Sequence, residues 1–152
     1  MNWDAIGAIG EWAGAAAVIA TLLYLGLQIR QTNNISRFSA AERLMARFDE
    51  LNQMFASDSE LLEVLLKVET LSKAEDERVY AIANLYCNIW VSAEQALMAG
   101  QIDLGFFNAI KRDVEFTAGR WPQIGSKIEQ WVGNYPEMRT YEIFETRRNK
   151  SG

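Results

Sequence analysis

The most constraining feature of this sequence is an uncharged apolar segment near its start. Between Glu11 and Arg30 lie eighteen residues without a charged side chain, Trp12–Ile29, and Gln28 is their only amide. As an α-helix, eighteen residues extend about 27 Å, which is close to the hydrocarbon thickness of a bilayer. The segment therefore predicts a transmembrane anchor helix, which we assign to residues 1–31.

Two other interpretations fit this segment less well. A cleaved signal peptide begins with positive charge, whereas the residues before the apolar run carry Asp4 and Glu11 and no Lys or Arg. A core helix of a soluble bundle normally carries a polar stripe. Here the only polar side-chain groups between Trp12 and Leu27 are Thr21 and the hydroxyl of Tyr24, so the transmembrane interpretation is favoured.

The charges that flank the span predict its orientation. No Lys or Arg precedes the span, whereas four arginines lie in it or within about 20 residues after its C-terminal end: Arg30, Arg37, Arg43 and Arg47. Positive charge is retained on the cytoplasmic side, so we expect the N-terminus outside and the C-terminal domain in the cytoplasm. Aromatic and basic side chains near the two ends suit the membrane interfaces, and the residues predicted there are Trp3, Trp12, Tyr24 and Arg30.

One face of the anchor carries small residues and a carboxylate. The pair Gly10-x-x-x-Gly14 matches the spacing that allows helix backbones to approach closely in a membrane. We therefore predict a helix-packing interface formed by Gly7, Gly10, Glu11, Gly14 and Thr21. Three environments for Glu11 stay open: solvation among lipid headgroups, a donor on a packing helix, or a ring at the mouth of an oligomeric pore.

Two short segments of the anchor resemble a known family. Residues 7–11 read GAIGE, and residues 24–33 read YLGLQIRQTN. This pattern is similar to that of a family of small uncharacterised bacterial proteins, which pair an N-terminal membrane segment with a short helical domain. The resemblance implies an anchored protein of the bacterial inner membrane, and it supplies no catalytic residue or cofactor.

The residues after the anchor predict an all-α fold, in which one transmembrane helix precedes a small antiparallel helical bundle. Apolar residues recur every three or four positions through residues 32–146, and residues 147–152 form a polar tail that we expect to fray. The anchor either continues into the first soluble helix or breaks at residues 32–34. Helix boundaries are indicated by Ser57-x-x-Glu60, Ser72-x-x-Glu75, Gly100, Asp103, Trp121-Pro122 and Tyr135-Pro136.

The composition argues against most catalytic chemistry. The chain has no histidine, which removes the commonest general base and imidazole metal ligands, and its one cysteine, Cys87, is predicted to pack inertly in a helix. The net charge of −5 and the lack of a basic block disfavour binding to nucleic acid. Glu94 is expected to be partly buried and paired with an arginine. We therefore predict no enzymatic activity and no cofactor.

The function predicted from these features is that of an accessory or scaffolding protein. The anchor would associate with itself or with a larger membrane complex, so the expected partners are the lipid bilayer and either a homo-oligomer or a membrane complex. An alternative is a homo-oligomeric channel or sensor with Glu11 near the pore mouth. An enzyme acting at the membrane surface has only scattered carboxylates in its support.

Overall fold

The computed structural model describes residues 3–67, 69–136 and 142–145, except for the side chains of residues 3–6 and 8. These ranges contain helices and no strand, so the prediction of an all-α fold is confirmed. The helices are α1 (Trp3–Ser57), α2 (Ser59–Leu66), α3 (Lys73–Met98), α4 (Leu104–Arg120) and α5 (Pro122–Asn134), followed by a 3-10 turn at Glu142–Phe144.

Helix α1 runs without a break for 55 residues. Residues 32–34, the polar Thr-Asn-Asn sequence where a break was possible, are helical and exposed, because solvated side chains leave the backbone hydrogen bonds of the helix intact. By compactness the chain divides into two units, Met1–Arg37 and Phe38–Gly152. The division into residues 1–31, 32–146 and 147–152 stays a prediction, and its tail lies outside the described residues.

Within the second unit, the end of α1 packs antiparallel to α3. Arg47 Nη1 donates to Ser92 Oγ at 3.3 Å, and the rings of Phe55 and Tyr86 stack with their centroids 6.3 Å apart. Later residues of α1 therefore contact earlier residues of α3, so the two helices are antiparallel.

Helix α4 is also antiparallel to α3. Trp90 Nε1 donates to Asp113 Oδ2 at 3.1 Å, and Tyr86 forms a side-chain hydrogen bond with Thr117. The five residues that connect the two helices suit such a hairpin.

Helix α5, in contrast, runs parallel to α3, because the chain reverses direction once into α4 and again into α5. Lys127 Nζ pairs with Asp76 at 2.7 Å, and Trp131 Nε1 donates to Asn84 Oδ1 at 2.6 Å. Helices α3, α4 and α5 thus alternate in direction, as in an up-and-down bundle, whereas α1 and α3 are antiparallel although α2 lies between them in the sequence.

The core of this bundle combines aromatic and aliphatic side chains. Trp90 and Phe107 are completely buried, and the ring of Phe144 packs against those of Trp90 and Trp131. The other fully buried large side chains are Leu61, Leu65, Val79, Val114, Ile124, Ile128 and Ile143. Burial of such side chains supplies most of the stability of a helical domain.

Most of the predicted helix boundaries are confirmed. Ser72 and Glu75 form both hydrogen bonds of the capping box, and Asp103 caps α4 through the backbone N–H of Phe106 at 2.8 Å. Pro122 occupies the first turn of α5. Gly100 follows α3 with a φ of 67°, a conformation that side chains other than glycine rarely adopt.

The predicted capping box at Ser57 is wrong by one residue. Asp58 caps α2, because its Oδ1 accepts from the backbone N–H of Leu61 at 2.9 Å, and its other oxygen pairs with Arg78. Ser57 still belongs to α1, where its hydroxyl donates to the carbonyl of Met54 at 3.1 Å. Aspartate binds the orphan donors of a helix start as well as serine does, and here it also gains an ion pair.

The segment after α5 is described only in part. The sequence predicted a helix that begins at Tyr135-Pro136. The structure describes the far end of this segment as the 3-10 turn, in which Ile143 and Phe144 are buried, and residues 137–141 lie outside the described residues. Glu94 is buried and binds this turn, while its expected pairing with an arginine stays a prediction, because three arginines of the C-terminal segment lie outside the described residues. Its carboxylate accepts from the backbone N–H groups of Glu142 at 3.1 Å and Ile143 at 3.3 Å.

Candidate functional site

The apolar part of α1 is exposed along its length. Among the described residues, α1 is the one helix long and apolar enough to cross a membrane. Between residues 9 and 29, the exposed fractions of the large apolar side chains run from 45 % at Leu25 to 80 % at Trp12. A core helix of a soluble bundle would bury these side chains, whereas here they are not covered by any described residue.

The predicted packing face contains open positions. A Cβ atom placed on Gly7, Gly10 or Gly14 meets nothing within 4 Å. No contact among the described residues therefore requires glycine at these three positions. The predicted interface, including Glu11 and Thr21, stays a prediction that concerns contacts beyond this chain.

The two polar members of this face differ in their hydrogen bonding. The Thr21 hydroxyl donates to the carbonyl of Ala17 at 2.8 Å, one turn earlier in the helix. This local bond satisfies the hydroxyl donor within the helix itself, without a partner helix. The side chain of Glu11 is exposed, which is compatible with each of its three predicted environments.

The predicted membrane-interface residues are exposed wherever the structure describes them. Trp12, Tyr24 and Arg30 have exposed side chains, and Gln28 Nε2 donates to the Tyr24 hydroxyl at 3.2 Å. This bond gives the amide of the span a partner on its own helix. The side chain of Trp3 lies outside the described part of the structure.

A second candidate site is a cleft of about 580 Å³ in the bundle, open between α1, α2 and α4. It lies wholly within the unit Phe38–Gly152. Its lining combines aromatic rings, aliphatic side chains and a few polar groups: Asn52, Phe55, Ala56, Leu62, Leu66, Tyr86, Asp113, Phe116, Thr117, Arg120 and Trp121. A mixture of apolar surface with a few convergent polar groups is typical of small-molecule sites.

Asp113 is the half-buried acid of this cleft. One of its oxygens, Oδ2, accepts from Trp90 Nε1. Burial raises the pKa of the Asp113 carboxyl, and the bond from Trp90 opposes this shift only in part. A carboxylate held away from water in this way is stabilised by a cation or hydrogen-bond donor that enters the cleft.

Tyr86 contributes a buried hydroxyl next to this acid. Burial, together with the charge of Asp113, raises the pKa of Tyr86 to about 12, and these two causes outweigh the Thr117 hydrogen bond and the charge of Arg120. The phenol is therefore neutral at physiological pH. The Tyr86 hydroxyl can therefore form hydrogen bonds in the cleft, but it does not act as a base at this pH.

Aromatic rings and one cation also line the cleft. Phe55 stacks between Tyr86 and Trp121, with the Phe55–Trp121 centroids 6.2 Å apart. The guanidinium of Arg120 lies 5.1 Å from the Trp121 ring centroid and 5.9 Å from that of Phe116. The aromatic faces hold this guanidinium at the rim through cation–π attraction.

Sequence analysis did not identify this cleft. Asp113, Thr117 and Arg120 follow the i, i+4, i+7 spacing of one helix face, directly beside the apolar stripe of α4. This spacing was the only feature of the sequence that could have indicated a polar site here, but similar patterns of charged residues occur on many solvent-exposed helices. Trp121 was interpreted with Pro122 as a helix boundary, and nothing in the sequence placed it beside Asp113 and Arg120 in one cleft.

Neither candidate site gathers metal ligands. Within the described ranges no group of three or more Cys, Asp or Glu side chains is placed to hold a metal ion. Comparisons of this chain with protein-family models, with curated proteins and with solved structures found no match.

Proposed function

We propose that this chain is a membrane-anchored helical accessory or scaffolding protein of the bacterial inner membrane. The N-terminal part of α1 crosses the bilayer, with its N-terminus outside and the bundle in the cytoplasm. The anchor associates with itself or with a larger membrane complex.

The observation that carries this proposal is the exposed apolar surface of α1. Seven aliphatic side chains between residues 9 and 29 are more than half exposed: Ile9, Val18, Ile19, Leu22, Leu23, Leu27 and Ile29. Burying one such side chain is worth about 1.5–3 kcal/mol, so leaving all seven in water forfeits on the order of 10 kcal/mol. This equals the whole stability of a typical domain, so an aqueous environment for this segment is disfavoured.

Association is supported by the glycine positions of the same helix. Gly7, Gly10 and Gly14 lie on one face, where the space that a Cβ atom would occupy is open, and small residues there permit a second backbone to approach. Packing against that second backbone replaces the lipid tails that would otherwise cover the face. This supports a helix partner on that face.

Membrane insertion is tested with a charge placed at the centre of the span. The variant Leu22→Arg introduces a cost of about 2.5–3.5 kcal/mol for a charged side chain in the hydrocarbon region. We expect wild-type protein to stay in the membrane pellet after alkaline carbonate extraction and Leu22→Arg to shift toward the supernatant. The matched control Ser36→Arg, outside the predicted span, should extract as wild type. Wild-type protein that remains soluble and monodisperse without detergent would refute the proposal.

Association is tested on the glycine face separately. Gly14→Leu should abolish cross-linked oligomers, or the co-purification of a membrane partner, after extraction in a mild nonionic detergent. Gly26→Leu is the control, because this glycine lies about 100° around the helix from the predicted face. Wild-type protein that is only monomeric and partner-free contradicts the association, and equal effects of the two variants contradict the face.

A further inference from the structure

We propose that the cleft between α1, α2 and α4 binds a small zwitterionic molecule whose ammonium and carboxylate groups are separated by an apolar spacer. The ammonium pairs with Asp113, the carboxylate pairs with Arg120, and the spacer lies against the aromatic rings between them. This inference does not depend on the membrane anchor.

The acidic end of the cleft has an unused acceptor. Asp113 Oδ2 is bound by Trp90, but no described residue donates a hydrogen bond to Oδ1. The carboxylate faces a cleft of which Tyr86 and Thr117 form the adjoining wall, and the hydroxyls of these two residues bind each other. An ammonium supplies both the charge and the hydrogen bonds that this acceptor lacks.

The basic end of the cleft is held without an acidic partner. Among the ion pairs of the described residues, none involves Arg120, whose guanidinium instead lies over Phe116 and Trp121. Cation–π contact fixes the position of the guanidinium and leaves its in-plane N–H groups to bind a carboxylate from the cleft.

The spacing of the two charges requires a ligand with separated ends. Asp113 and Arg120 are seven residues apart on one helix, so their Cα atoms are separated by about 10.5 Å along the axis. Phe55 and Trp121 also line the cleft with apolar surface, and Phe116 is 62 % exposed at its edge. A chain of methylene groups in the cleft would cover these aromatic rings and remove apolar area from water.

The test is isothermal titration calorimetry on the full-length protein in dodecyl maltoside, a detergent without charge. The probes are ω-amino acids from 4-aminobutanoate to 8-aminooctanoate, together with hexylamine and hexanoate. We expect at least one ω-amino acid to bind at least tenfold more tightly than either single-charge probe. Absence of binding by every ω-amino acid, or equal binding by hexylamine or hexanoate, would overturn the proposal.

Two variants separate the two ends of the ligand. Asp113→Asn keeps an acceptor for Trp90, and we expect it to lower the affinity for the tightest ω-amino acid at least tenfold. Arg120→Gln, at the exposed rim, is expected to do the same while leaving the near-UV circular dichroism unchanged. Arg112→Gln removes a charge from the same helix outside the cleft and should change the affinity less than twofold. Equal affinities for wild type and Arg120→Gln would also refute the proposal, even if Asp113→Asn failed to fold.

Discussion

The carboxylate of Glu94 binds the 3-10 turn to the bundle through two hydrogen bonds, and replacing Glu94 with glutamine measures how much these bonds contribute to the free energy of unfolding. Glu94 is 9 % exposed and accepts from two backbone N–H groups, those of Glu142 and Ile143. A hydrogen bond to a charged group contributes about 1.5–3 kcal/mol. Glutamine keeps one acceptor oxygen but turns an NH₂ group toward the other N–H, so one bond is lost. We expect Glu94→Gln to reduce the free energy of unfolding by about 2 kcal/mol.

The assay is urea unfolding of the full-length protein in dodecyl maltoside, followed by near-UV circular dichroism. Hydrogen exchange of the Glu142 and Ile143 amides provides a local measurement, and both amides should exchange faster in the variant. The control is Glu77→Gln, on the exposed face of the same helix, which should change stability by less than about 0.5 kcal/mol. A loss below about 0.5 kcal/mol for Glu94→Gln, or unchanged exchange at both amides, would refute the reasoning.

Three further predictions concern other contacts of the bundle. Hydrogen bonds from the backbone N–H of residue 72 and then from Lys67 lower the pKa of Glu75 from 4.5 to about 2. The Glu75 carboxylate therefore contributes to folding stability above pH 4.5, and this contribution is lost as the pH falls toward 2. Glu75→Gln should flatten the acid unfolding profile between these two pH values. A double-mutant cycle of Trp131→Phe with Asn84→Ala should show a coupling of about 1 kcal/mol in urea unfolding, because the indole N–H donates to Asn84 at 2.6 Å. Burial raises the pKa of Tyr86 to about 12, so ultraviolet titration should show one phenol ionising near that pH, and Tyr86→Phe should remove it. Additive effects in the cycle, an unchanged acid profile, or a titration that Tyr86→Phe leaves intact would contradict the respective assignments.

The features that were predictable from the sequence are those with local causes. Ser72 and Asp103 cap their helices through N–H groups three residues away, so the sequence alone contains both partners. The cap of α2 was misassigned because Ser57 and Asp58 are adjacent and both suit the position, and the decisive partner, Arg78, is twenty residues away. Local patterns therefore predict that a helix begins near a residue, but they do not always select which of two neighbours caps it.

The features that were missed depend on distant residues. Glu94 accepts from backbone groups 48 and 49 residues later, which no side-chain pattern reveals. The cleft is lined by residues of four helices that come together only in the folded bundle. Its charges, Asp113 and Arg120, resemble ordinary surface charges until the neighbouring helices cover one side of α4.

The complete burial of Cys87 has a practical consequence for experiments on this protein. It is the single thiol of the chain, and its exposed fraction is 0 %. A cysteine introduced anywhere on the surface would therefore be the only one that maleimide dyes or spin labels reach in the native state. Probes can be attached one position at a time along α1, and the proposed bilayer insertion can be tested residue by residue without first engineering a cysteine-free background.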